Sequence, residues 1–316
     1  VSPDRTPDGK PRRSHRRTAP PVAPSPPPGP PENGPPDRRQ RGLLHRIEDE
    51  IEERLSKIPN HLNEYRYDPW GLNPEVLKKA LVPAVLAYRY WFRVRTKGIE
   101  NVPPGRVLLV GNHAGQVAID GAMLGVAMIL EAEPPRVPRG MGEFWLPRLP
   151  WFNVFMHRIG SVVGTPKNCV DLLRNEEAVT VFPEGVRGMN KLWKDRYRLQ
   201  RFGLGFMRLA LETQTPIVPI AIVGSEEQAP AIANLRPLAK LLRMPAFPIT
   251  LTWPWLGPFG LIPFPVRYHI EFARPMRFAG DPDEEDEVIE GKVDEVKGKI
   301  ARMTEQGRRG RKNIFL

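Results

Sequence analysis

The amino-acid sequence predicts an α/β fold, a mostly parallel central sheet flanked by helices, with a helical segment ahead of it. Three observations carry that expectation. Apolar runs at 107–110, 178–182 and 217–223, with a further strand candidate at 267–272, have strand length, and near-continuous apolar strands belong to sheets covered on both faces. Helical stretches such as 203–213 lie between them, the alternation that builds parallel βαβ units. Apolar residues spaced by three and four mark amphipathic helices before and after this region.

Composition sets limits on function. With 316 residues, 41% of them hydrophobic, the chain can bury a sizeable core. A formal net charge of +11 asks for an anionic partner, whether nucleic acid, an acidic membrane surface or a phosphorylated substrate. The one cysteine, Cys169, excludes an intrachain disulfide and a thiolate cluster and points to a reducing compartment. For a lone cysteine, a buried apolar filler is a commoner role than a nucleophile. No apolar core of a secretory signal is seen near the start. Nor does any apolar run reach the roughly 20 residues that span a bilayer, so any membrane contact is expected at its surface.

Taken in order, residues 1–42 are dense in Pro, Arg and Asp and should form a disordered basic arm, since they bury too little to offset their ordering entropy. A helix then begins after Gly42, with Leu44, Ile47, Ile51, Leu55 and Ile58 on one face, and Pro59 ends it. Asn73 is placed to cap a second helix, with Pro74 in its first position. That helix is expected to run to about Arg95, kinked at Pro83, and is apolar or aromatic nearly all round, with Arg89, Arg93, Arg95 and Lys97 at its rim. A membrane-interfacial helix and a core helix packed on the sheet both fit it, so 43–97 is a helical segment with both placements open. The α/β domain spans 98–280. Within it, residues 245–265 (PAFPITLTWPWLGPFGLIPFP) have no charge and are broken by proline throughout. Three readings stand for them: a pocket lining, a lipid contact, or packing on the core. An acid-rich run, 281–287, precedes a helix carrying Val288, Ile289, Val293, Val296, Ile300 and Met303, with a basic tail to residue 316. That tail, with Arg308, Arg309, Arg311 and Lys312 before Ile314, Phe315 and Leu316, suits either anionic lipid or a frayed end.

The chemistry gathers after the strand at 107–110, where the run stops at Gly111 and delivers Asn112 and His113 into a turn, with Asp120 downstream. An imidazole with an ordinary pKa of about 6.5 and a carboxylate to hold its tautomer make a general-base pair. A second apolar strand ends in VFPEGVRG, residues 181–188, bearing Glu184 and Arg187 where parallel sheets gather their ligands. His15, His45, His61, His113, His157 and His269 share no zinc-like spacing, and no glycine-rich nucleotide loop is seen, so neither metal nor cofactor is expected.

These blocks resemble the glycerolipid acyltransferase family, which includes lysophosphatidic acid and glycerol-3-phosphate acyltransferases. Four appear in order: GNHAGQVAID at 111–120, FMHRIGSV at 155–162, FPEGVR at 182–187 and PIVPIAI at 216–222. The resemblance covers about 98–274 and implies a single acyltransferase domain. It also implies that His113 deprotonates the acceptor hydroxyl and Asp120 orients His113. Arg158 and Arg187 would bind the acceptor's phosphate, and Glu184 with Gly185 would position the acceptor. The co-substrate would be acyl-CoA or acyl carrier protein. The partners would be a lipid acceptor and an anionic membrane surface, not nucleic acid, and the place the cytoplasm, peripheral to the inner face of the cell membrane.

Two departures matter. The family usually places its acid five residues after the histidine, whereas here Ala118 holds that place and the acid is Asp120. In a continuous helix, His113 and Asp120 would lie about 10 Å apart along the axis. A functional pair therefore requires an irregular turn across 114–118, which Gly115 makes easy. Val186 stands where the family commonly has Thr, removing a hydroxyl.

Overall fold

The computed structural model describes residues 42–59, 61–116, 118–142, 151–241, 246–311 and 313–315. The expected arm therefore lies, apart from Gly42, outside the described residues, as do Pro245, Lys312 and Leu316. The strands are β1 (Arg95–Lys97), β2 (Val107–Gly111), β3 (Arg139–Gly142), β4 (Val162–Val163), β5 (Ala178–Val181), β6 (Ile217–Val223), β7 (Ala231–Asn234), β8 (Pro248–Thr250) and β9 (His269–Phe272). The α-helices are α1 (Leu43–Ser56), α2 (Pro74–Leu86), α3 (Ile119–Leu130), α4 (Phe152–Arg158), α5 (Pro166–Arg174), α6 (Val186–Met189), α7 (Gly205–Thr213), α8 (Arg236–Leu241) and α9 (Asp286–Gly310). Seven strands form one sheet in the order β1-β9-β6-β2-β5-β3-β4, and β7 and β8 make a separate antiparallel pair. Among the described residues, β6 with β9 is the one antiparallel pairing in the large sheet.

Strand β2 sits at the centre and is buried along its whole length. A strand without polar alternation needs apolar cover on both faces, and successive side chains supply it by pointing opposite ways. Val107 and Leu109 join a cluster with Ile47, Ile51, Leu77, Leu81 and Met128 of α1, α2 and α3. Leu108 and Val110 join another with Leu172, Met207, Val293 and Ile300 of α5, α7 and α9. The result is a sheet between two helical layers. The helical segment ahead of the sheet is thus part of the same core.

Local signals explain the helices. The Asn73 side chain accepts hydrogen bonds from Glu75 and Val76 N–H at 3.1 Å each, with Pro74 in the first turn of α2. Pro83 lies inside α2, but the helix does not continue to Arg95. It widens into a π turn at Ala87–Trp91, and Arg93 at φ 43° turns the chain into β1. Tyr88 and Phe92 enter the core, as the core-helix reading expects, while Tyr90 and Trp91 stay exposed. Helix α9 buries Ile289, Val293, Val296, Ile300 and Met303 and leaves Val288 exposed. Its first turn carries Asp286 and Glu287 and its last Arg308 and Arg309, as the helix dipole favours. The tail docks rather than frays: Arg311 pairs with Glu227, both buried, and Ile314 C=O accepts from Arg267 N–H at 2.9 Å.

Strand β6 has its expected bounds, while the runs at 178–182 and 267–272 form strand only to Val181 and from His269. β3 and β4 were not read from the sequence.

These contacts separate two stability effects. Asn73→Ala should destabilise the protein by about 1 kcal/mol through the lost cap. Leu109→Ala should cost about 2–5 kcal/mol through a cavity in the central strand, both measured by urea unfolding monitored by circular dichroism.

Candidate active site

Strands β6, β2 and β5 are parallel neighbours, so the loops at their carboxyl ends lie side by side on one edge of the sheet. Asn112 shapes the first departure from β2. Fully buried, its Nδ2 donates to Ile222 C=O at 2.9 Å and its Oδ1 accepts from Ile222 N–H at 2.7 Å. The side chain thereby continues the β2–β6 ladder where the backbone leaves it.

The segment between His113 and Asp120 is an irregular turn, with Gly115 at φ 92° and Gln116 at φ 64°, and α3 starts only at Ile119. The two side chains meet, His113 Nδ1 lying 2.8 Å from Asp120 Oδ2. Asp120 is wholly buried, and His113 is 9% exposed. The same Asp120 oxygen accepts Ala114 N–H at 3.0 Å and the other accepts Gly121 N–H at 2.8 Å. With Asp120 in the first turn of α3, the carboxylate also sits at the favourable end of the helix dipole. Phe182, just past β5, stacks on the imidazole at a centroid distance of 4.4 Å. Among the described residues Nε2 of His113 has no hydrogen bond. Burial lowers the imidazole pKa, but the charge and hydrogen bond of Asp120, helped by Glu184 and opposed by Lys191, leave it raised above 6.5.

Glu184 is buried directly behind this turn. One oxygen accepts His113 N–H at 3.1 Å and the other accepts Gln200 N–H at 2.7 Å. Lys191 lies 3.5 Å from the second oxygen and 2.8 Å from Glu226, which follows β6. Glu184 thus holds the backbone of His113, with both its oxygens engaged by the protein itself. Lys191 is a buried bridge between the two acids. Gln228 completes the frame, its Nε2 donating to Gly115 C=O at 3.0 Å while its Oε1 accepts from Tyr268 OH at 2.6 Å. Gly188 is required by a close approach, because a Cβ there would meet Glu184 Cβ at 2.5 Å and His113 O at 2.9 Å. Sequence reasoning missed Glu226 and Gln228, and gave no structural role to Asn112 or Gly188. The polar run SEEQ at 225–228, directly after a predicted parallel strand, was the available signal.

Gly185, at φ 55° and ψ −148°, turns the chain from Glu184 into α6. Arg187 on α6 is exposed and, among the described residues, has no ion-pair partner. It lines a polar cleft of about 630 Å³ together with Asn190, Lys191, Arg198, Gln200 and Asn234. Arg158 is not brought to this cleft. It ends α4 beside the start of α2, where its C=O accepts Asn73 N–H at 2.9 Å and Gly160 packs against Leu72 and Val137. A second, largely apolar groove of about 590 Å³ runs past Met141, Val181, Pro183, Phe206 and Leu209. Val181 packs with the α5, α7 and α9 layer, whereas Phe182 packs with the layer of α1, α2 and α3. Cys169, on that groove, is buried, and burial pushes its thiol up to about 11. Among the described residues, no group of three or more His, Cys, Asp or Glu could hold a metal ion.

A family model described as Acyltransferase matches residues 93–223, the span that contains both site loops. An uncharacterized protein of Mycobacterium tuberculosis is 38% identical over 259 residues, 80% of this chain and 72% of that protein. A Gallus gallus protein described as a DGAT1/2-independent enzyme synthesizing storage lipids is 23% identical over 197 residues, 62% of this chain and 55% of that one. The crystal structure of the 1-acyl-sn-glycerophosphate acyltransferase PlsC from Thermotoga maritima is similar at a TM-score of 0.49. Its sequence identity is 18%, over 74% of this chain and 80% of that chain.

The turn itself is testable. A Cβ on Gly115 would meet Gln228 Nε2 at 2.2 Å and Ser225 C=O at 2.5 Å, at a φ that side chains rarely adopt. Gly115→Ala should therefore cost about 1–3 kcal/mol in urea unfolding and weaken the His113–Asp120 hydrogen bond, seen as a loss of the Nδ1 proton resonance.

Proposed function

From the premise that this chain belongs to the acyltransferase family, we propose that it moves a fatty acyl group from a thioester to a lipid hydroxyl. The donor is acyl-CoA or acyl carrier protein, and the acceptor is a lysophospholipid or glycerol phosphate. The observation that carries this reading is the 2.8 Å contact of His113 Nδ1 with buried Asp120, which leaves Nε2 without a hydrogen bond among the described residues.

The chemistry follows from that geometry. Asp120 accepts the Nδ1 proton in a hydrogen bond and so keeps the Nε2 lone pair available as a base. Nε2 takes the proton of the acceptor hydroxyl as its oxygen attacks the thioester carbonyl. The tetrahedral intermediate then expels the thiolate, which recovers that proton from the imidazolium, giving ester and free thiol. Glu184 acts by holding the His113 backbone. Arg187, exposed at the mouth of the polar cleft, suits an acceptor phosphate, since a guanidinium binds phosphate bidentately. The apolar groove past Val181 and Phe206 suits the acyl chain by its lining. General-base help supplies only about 10²- to 10⁴-fold, so holding both substrates in place must supply much of the remainder.

A second reading has a neutral or amine acceptor, such as a monoacylglycerol. It is favoured by Arg158 lying away from the cleft, by Val186 in place of a hydroxyl residue, and by the relative described as synthesizing storage lipids.

Steady-state kinetics on purified protein test these roles. His113→Ala should lower kcat by about 10²- to 10⁴-fold. Arg187→Ala should raise KM for a phosphate-bearing acceptor by about 10- to 100-fold and leave a phosphate-free acceptor unchanged. Equal loss on both acceptors would favour the neutral-acceptor reading. For pH, the raised His113 pKa means that the active, neutral form appears as pH rises through a value above 6.5. In Asp120→Asn the acid limb should move to lower pH, because the contributions that raise the pKa are removed, while the rate at its plateau falls. An unmoved limb would remove His113 as the titrating base.

A further inference from the structure

The charge-free run 245–265 is not absorbed by the site, and its described part is built in an unusual way. Leu251, Trp255, Leu256, Phe259, Leu261 and Ile262 all point to solvent, Trp255 being 68% and Phe259 74% exposed. The polar groups of the loop turn inward. Leu256 N–H donates to Thr252 C=O at 2.9 Å, Gly257 N–H to Pro254 C=O at 2.9 Å, and Ile262 N–H to Phe259 C=O at 3.2 Å. Thr252 Oγ1 donates to Gly260 C=O at 2.9 Å. Pro254, Pro258 and Pro263 have no N–H to satisfy. Backbone bonds that close within the loop while its apolar side chains face outward lower the cost of entering the headgroup–acyl boundary.

The loop does not stand alone. Trp91 Nε1 donates to Pro263 C=O at 3.1 Å, joining the exposed Tyr90 and Trp91 to the same face. Arg93 donates to Pro265 C=O at 2.7 Å and Phe315 C=O at 2.8 Å, and Arg95 N–H donates to Tyr268 C=O at 3.0 Å. Arg93, Arg95 and Arg267 thus flank the end of the loop, and among the described residues none has an acidic partner. Half-buried His269 registers this field: burial lowers its pKa, and Arg311, Arg95 and Arg267 lower it further. Aromatic and aliphatic tips beside unpaired guanidiniums complement an anionic bilayer, with tails below and headgroups at the rim.

The same loop reaches the candidate site. Phe264 N–H donates to Gln228 C=O at 2.7 Å, and the Gln228 side chain holds Gly115 in the turn that carries His113. Among the described residues no helix is long and apolar enough to cross a membrane, which leaves surface contact to such a loop. We propose that residues 251–262, with Tyr90 and Trp91, are a docking surface that inserts into an anionic phospholipid bilayer and sets the His113 turn at its surface. This deepens the acyl-transfer reading by naming the phase that supplies the lipid acceptor, and its test does not depend on activity.

The test is co-sedimentation of the full chain with vesicles of phosphatidylglycerol and phosphatidylcholine, beside vesicles of phosphatidylcholine alone. The wild type should bind the anionic vesicles more tightly. The triple variant Trp255→Ser, Leu256→Ser, Phe259→Ser should bind them at least about tenfold more weakly, with its melting temperature and its turnover of a water-soluble acceptor unchanged. His113→Ala should bind as the wild type does, so failed catalysis and failed docking are told apart. Wild type that binds neither vesicle, or a triple variant that partitions like wild type, overturns the proposal. So does a wild-type dimer that the triple variant dissociates with vesicle binding unaltered.

Discussion

The hydrogen bond between His113 and Asp120 is the constraint on which the rest of the site depends. Burying a carboxylate completely is costly unless its oxygens are satisfied, and Asp120 receives two backbone N–H groups besides the imidazole. The backbone that brings the two residues together cannot be helical, because helix geometry would separate them by about 10 Å. A left-handed step at Gly115 and Gln116 therefore precedes α3, and that step needs outside support.

The support comes from strands that are neighbours in space and distant in sequence. Asn112 ties the end of β2 to Ile222 on β6, and Gln228 reaches back 113 residues to Gly115. On the other side Glu184, at the end of β5, bonds the His113 amide, and Lys191 links it to Glu226. Burial raises the Glu226 pKa, and the charge and hydrogen bond of Lys191 offset only part of that rise. Three parallel strands thus hold one turn between two buried carboxylates and a lysine. In the proposed reaction such a frame would limit reorganisation as charge develops on the imidazole.

Much of this could be read in the sequence where the signal was local. The burial of 107–111 followed from an unbroken apolar run, the cap at Asn73 from Asn-Pro, and the irregular turn from a seven-residue spacing that a helix cannot bridge. What escaped was non-local or too short. β4 has two residues, and β3 reads Arg-Gly-Met-Gly, with no periodicity to detect. The bridging position of Lys191 has no local mark because its acids, Glu184 and Glu226, come from two other loops. Arg158 resembles a family position, but its block packs on Leu72 and Asn73 and so ends away from the cleft. The π turn at Ala87–Trp91 likewise has no sequence mark distinguishing it from continued helix.

The account turns on the state of one ring, and nitrogen-15 NMR of selectively labelled histidine observes it directly, with His113→Ala providing the resonance assignment. The account predicts a neutral imidazole protonated on Nδ1, with Nε2 unprotonated, titrating above 6.5 because Asp120 and Glu184 outweigh burial. A ring protonated on Nε2, or one titrating at or below 6.5, would contradict it.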